Sequence, residues 1–234
     1  MPLIVAVAVG ATLLLGSALR AADGQWTPAF EFNPAPNEQG WITTDHVQVK
    51  VAASINPDAV LGSSWLLAES PFYEADLISD SAGTQWTFPG LDDGTHYLTV
   101  QLLTRPRQWL KSAPYRLKVD VTPPPPPVEL RAYDSLFSSK PLRADEPQSG
   151  TARPFFTWSA PVMEPGSPLS YYQIEWRATD AKEPLELRRD RAAAFFPGQA
   201  LSQSGRYQLQ VWTVDEAGWR SSMPATFYCR YERR

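Results

Sequence analysis

A single cysteine, Cys229, leaves the chain without an internal disulfide, so packed cores alone must hold it together. Redox chemistry by a cysteine pair is excluded with it. Two histidines are too few to build an ordinary zinc site unaided. No His-Glu-x-x-His, paired Cys-x-x-Cys, nucleophile elbow, P-loop or dinucleotide glycine fingerprint occurs, so the usual reaction and cofactor signatures are missing and no cofactor is expected. The asparagines, Asn33, Asn37 and Asn56, never begin Asn-x-Ser/Thr, which excludes N-glycosylation. Strong positive charge is also lacking. Net charge is −4, and the densest basic stretch, Arg188, Arg189 and Arg191, is interleaved with Glu183, Glu186 and Asp190, which reads as a solvated strand face. Nucleic acid is therefore not an expected partner. Long helix-periodic stretches are absent, while 23 prolines punctuate 234 residues, and that combination predicts short strands joined by turns.

What the chain does have begins at residues 3–19, a run without charge that is followed by Arg20-Ala21-Ala22-Asp23. Small residues after an apolar run predict a secretory signal peptide over 1–22. No basic residue precedes the run, and its length reaches the lower edge of what spans a bilayer, so an uncleaved anchor is the alternative. Membrane contact is expected only through this segment. Five consecutive prolines at 123–127 then divide the rest. Proline fixes φ and donates no backbone hydrogen bond, so the run favours an extended polyproline II rod of about 15 Å.

Residues 23–40 read as an extended lead or linker, with a strand through Phe30 and Phe32 as the alternative. Residues 41–122 alternate as strands do: Val47, Val49 and Val51, then 64–68, 85–88, His96 to Leu102, and Tyr115 to Val121. Residues 128–234 repeat the plan, with strands at 128–132, 155–158, 171–177, 186–188, 193–196, 207–213 and around Phe227 and Cys229, and a surface loop over 133–153. Aligning Gly94 with Gly205 puts His96 on Tyr207, Leu98 on Leu209 and Val100 on Val211. One extra residue placed in 104–108 then pairs Trp109 with Trp219. The fold class is all-β, two tandem β-sandwiches.

Trp158-Ser-Ala-Pro161, Tyr172-Gln-Ile174-Glu-Trp176, residues 201–207 and 215–218 resemble the fibronectin type III pattern over nearly the whole second half. The resemblance implies that Trp158 is the core tryptophan of the second strand and Tyr207 the tyrosine of the tyrosine corner. Residues 91–100, with Val119-Asp120-Val121-Thr122-Pro123-Pro124, look like bacterial Ig-like modules found in tandem on exported proteins. In place of their usual last-hairpin residues stands Thr104-Arg105-Pro106-Arg107-Gln108, so no role of that turn carries over.

The expected function is an exported, non-catalytic adhesion, scaffold or spacer module that is secreted, periplasmic or at the cell surface, with an unknown protein or a cell-envelope glycan as partner. Nine tryptophans support a second reading, carbohydrate binding, because sugars stack on exposed aromatic faces. Trp109 and Trp219 are its candidate platforms. A third reading, an enzyme with a composite site, would need facing carboxylates from among Glu164, Glu175, Glu183 and Glu186. His96 is expected to be a hydrogen-bonded core or corner residue, Asp92-Asp93-Gly94 and Gly205 to be turn chemistry, and Cys229 a buried thiol.

Overall fold

The computed structural model describes residues 26–52, 56–148, 153–163, 165–190 and 195–233. The predicted signal or anchor, Glu164, Arg191 and the first residues of the predicted 193–196 strand lie outside them. The architecture is all-β, and among the described residues the one helical element is a 3₁₀ turn at Pro57–Ala59.

The N-terminal half contributes β1 (Phe30–Asn33), β2 (Trp41–Ile42), β3 (Val47–Val51), β4 (Val60–Ala68), β5 (Gln85–Phe88), β6 (Gly94–Thr104), β7 (Gln108–Lys111) and β8 (Tyr115–Val119). They form a three-stranded sheet, β1-β3-β5, and a five-stranded one in which β2-β8-β6-β4 run side by side and β7 pairs with β6. In β3 and β5 alternate side chains are buried, Val47, Val49 and Val51 in one and Trp86 and Phe88 in the other, because a pleated strand sends successive side chains to opposite faces. The C-terminal half follows with β9 (Val128–Tyr133), β10 (Pro147–Gln148), β11 (Phe155–Ser159), β12 (Leu169–Ala178), β13 (Glu186–Asp190), β14 (Phe195–Pro197), β15 (Gly205–Asp215) and β16 (Ala225–Tyr231). Its sheets are β14-β11-β9 and β10-β16-β15-β12-β13. Phe156, Trp158, Ile174, Trp176, Leu209 and Phe227 belong to the core of this half.

Packing groups the chain into two units. One holds Gln48–Trp86, Tyr97–Tyr115 and the described residues up to Phe32; the other holds Asn33–Val47, Thr87–His96 and Arg116–Arg234. The second unit thus includes strand ends from the N-terminal half, the whole proline run and all that follows.

Three expectations need correction. Part of 23–40 is strand: Phe30 and Phe32 both meet the Tyr115 ring, at 5.2 and 5.1 Å between centroids, and that aromatic contact holds β1 in its sheet. The long loop 133–153 is interrupted by β10, which pairs in parallel with β16. The third concerns the last hairpins, which need no inserted residue. Thr104 pairs with Gln108, and Asp215 N–H reaches the Trp219 carbonyl at 3.1 Å, so each loop has three residues. Arg107 (φ 71°) and Gly218 (φ 96°) fill the same left-handed position. Trp219 therefore matches Gln108, whereas Trp109, opposite Leu103, matches Arg220, opposite Val214. The two tryptophans are not equivalent.

Candidate functional site

Within the second unit the chain leaves β8 at Val119 and enters the prolines through Asp120, and the hydrogen bonds made there are unusually dense for a linker. Asp120 is 2% exposed. Its N–H donates to the Ile42 carbonyl at 2.9 Å, one carboxylate oxygen accepts the Ser167 N–H at 2.7 Å, and the other accepts the Thr122 N–H at 3.2 Å. Its carbonyl accepts the Trp219 indole N–H at 2.8 Å. Every polar group of this buried residue is thereby satisfied, as burial requires. Asp93 adds a further brace, its carboxylate accepting the Val121 N–H at 2.6 Å.

The three-residue loop after β15 completes the cluster. Ser167 Oγ accepts the Ala217 N–H at 3.0 Å, and the Asp215 carboxylate accepts the Trp219 N–H at 2.8 Å. Asn37 donates through Nδ2 to the Glu216 and Ala217 carbonyls at 2.9 and 3.2 Å, while its Oδ1 accepts the Trp41 N–H at 2.9 Å. A Cβ at Gly166 would lie 3.1 Å from the Asp120 carboxylate, so only glycine fits beside it without displacement. Pro124 and Pro127 are buried, which means that the proline rod is supported along its length and does not stand free in solvent. Asp93, Asp120, Ser167 and Asp215 line a cavity of about 30 Å³ with Pro123 to Pro125. Burial pushes the Asp215 carboxyl up to about 6, with the Asp120 charge adding to the effect, against the Trp219 and Gly218 N–H groups and the Ser167 side chain.

The residues singled out from the sequence fall in several places. The Tyr207 hydroxyl donates to the Gln203 carbonyl four residues back, at 2.8 Å, and its ring stacks on buried Trp176. Half-buried His96 makes the matching contact through Nε2 with the Asp92 carbonyl, also four residues back and at 2.8 Å. Trp158 is buried on β11, edge-on to Tyr172 at 5.5 Å. Gly94 opens β6 at φ 136°, a conformation that disfavours a side chain, whereas Gly205 opens β15 beside the Tyr207 ring. Cys229 is buried opposite Tyr207, and burial pushes its thiol up to about 12. Trp109 and Trp219 are half-buried, and only Trp219 joins the cluster described above. Glu175 is held by Arg177 and Gln173, and Glu183 is exposed on a turn.

Asp120, Ser167, Asp215 and Asn37 were not read from the sequence as partners. Their only local signals were turn chemistry at 215–218 and an acid before the prolines; the contacts join residues 47 to 180 positions apart.

No family model and no curated protein matches the chain. Among solved structures it is similar to domains A168–A170 from titin, at 16% identity and a TM-score of 0.52, over 87% of this chain and 66% of that one. It is also similar to fibronectin(III)-like modules of Clostridium thermocellum CbhA, at 14% identity and a TM-score of 0.42, over 88% of this chain and 95% of that one. The chain thus spans 66% of the length of the titin structure it matches. At this identity the likeness to titin concerns the fold alone, and with the sheet orders above it makes the chain a tandem of Ig-like and fibronectin type III-like β-sandwiches.

Proposed function

We propose that the chain is an exported, non-catalytic module whose main task is that of a spacer or scaffold, with the 120–127 segment as its stiff joint. The observation that supports this is the bracing of Asp120: a flexible linker would be solvated, yet here Asp120 is buried and fully hydrogen-bonded, and Pro124 and Pro127 are buried beyond it. Export rests on the uncharged run at 3–19. Site-resolved hydrogen exchange tests the joint. The Val121, Thr122 and Ser167 amides should be protected like strand amides, and Trp219→Phe, which removes the indole donor, should lower protection at Val121 and Thr122. Fast exchange of all three in the unaltered protein would refute a stiff joint.

A carbohydrate-binding reading draws support from a different place than the sequence suggested. None of the nine tryptophans is in the exposed class, so no indole platform stands open. Phe155 and Phe195, however, stack at 5.6 Å beside a groove of about 470 Å³ that Arg153 and Asp134 also line. Aromatic faces with planar polar neighbours are the chemistry that holds a sugar ring. Retention on insoluble envelope glycan, lost in Phe195→Ala with melting unchanged, would favour this reading over the spacer.

A further inference from the structure

The loop after β4 displays four large apolar side chains: Phe72 is 91% exposed, Tyr73 63%, Leu77 56% and Ile78 70%. Such a cluster on a soluble surface marks a place where something else binds. It is also a built feature. Buried Ala75 is held at both its amide groups, its N–H donating to Thr99 Oγ1 at 3.1 Å and its carbonyl accepting the Gln101 side chain. The loop's carboxylates are spent on its own support: Asp76 accepts from Ser64 Oγ and from the Ile78 N–H, Asp80 accepts the Trp65 N–H, and Glu74 ion-pairs with Lys111 at 2.7 Å. The acids pin the loop while the apolar side chains are left to solvent.

The same lysine marks where the N-terminal segment arrives. Trp26 N–H donates to the Lys111 carbonyl at 2.8 Å, and the Ala113 N–H donates to the Trp26 carbonyl at 3.0 Å. Trp26, Lys111 and the loop belong to one unit. Only residues 20–25 separate Trp26 from the uncharged run at 3–19, a tether that spans at most about 25 Å.

We propose that the loop carrying Phe72, Tyr73, Leu77 and Ile78 rests in the headgroup region of a neutral bilayer that the chain's own N-terminal run spans. This rests on residues 3–19 being retained, the second of the two readings of that segment. Phenylalanine and tyrosine at a lipid interface bury ring surface while the tyrosine hydroxyl stays hydrated. With its acids engaged and no lysine or arginine between residues 69 and 80, the loop offers nothing to anionic headgroups, so the lipid it suits is zwitterionic.

The test uses the full chain with phosphatidylcholine vesicles. A polarity-sensitive fluorophore is attached at Phe72→Cys and, separately, at Val162→Cys, a site 85% exposed in the other unit. Cys229 is buried and takes up no label. The expected result is that the protein floats with the vesicles, that the probe at 72 shifts to the blue and is quenched by a nitroxide lipid, and that the probe at 162 does neither. Flotation with a water-like signal at 72 would overturn the loop contact and leave the anchor standing. Protein that stays out of the vesicle fraction would overturn both. A blue shift at 72 without vesicles, growing with protein concentration, would overturn the proposal in favour of a second copy of the chain.

Discussion

Asp215 holds its proton unusually well because it is 3% exposed and shares its surroundings with another buried carboxylate, Asp120. Asp93 lines the same small cavity, so no cation on the neighbouring elements offsets the burial. A carboxyl raised from 3.8 to about 6 is protonated in the folded chain over a range where the unfolded chain has already lost its proton. Its contribution to stability is therefore full below the ordinary value and is lost as pH rises through about 6. The urea midpoint should fall between pH 4 and pH 7 by more in the unaltered protein than in Asp215→Asn, which keeps an acceptor for the Trp219 N–H but does not titrate. Equal falls in both would remove Asp215 from the account. Cys229 makes the complementary case, an apolar use of a reactive side chain. It sits in the same core as Phe227 and Tyr231, so Cys229→Ser should cost about 1–3 kcal/mol in chemical denaturation, the cost of a hydroxyl without a partner. The native thiol should meanwhile label only as fast as the chain opens.

Strands with strict alternation were legible in the sequence because their pattern is local: β3, β5, β6 and β15 each show period two, and each buries the phase that the pattern selects. Short elements were not. β2 and β10 have two residues each and exist through parallel pairing with β8 and β16, which no local pattern announces. The final hairpins show how a sequence alignment can be plausible and wrong. Two tryptophans near two turns invited pairing, but the repeat is carried by the turn backbone, where Arg107 N–H bonds to the Thr104 carbonyl at 2.6 Å and Gly218 N–H to the Asp215 carbonyl at 3.2 Å. A left-handed residue with a Cβ costs about 1–2 kcal/mol relative to glycine. Arg107→Gly should therefore raise the melting temperature, and Gly218→Ala should lower it by a comparable step. If the two substitutions moved it in the same direction, the equivalence of the hairpins would be wrong.

At the scale of the whole molecule, the sequence made the all-β class legible but not the joint, because a proline run reads the same whether it stands free or is braced. What braces it comes from Asn37, Asp93, Ser167 and the 215–219 loop, which are brought together only by folding. The N-terminal run poses a similar ambiguity, since cleavage and retention fit the same composition. The folded part bears on the choice. A signal peptide that is removed leaves no reason for its exit point to lie beside a pinned loop with Phe72 91% exposed, whereas a retained anchor supplies the surface that covers it. Intact-mass analysis of the protein recovered from cell envelopes should accordingly show residues 1–20 still present. A product beginning near residue 23 would restore the cleaved reading, and with it the loop would lose its tether to the bilayer and stand as a surface for a soluble partner.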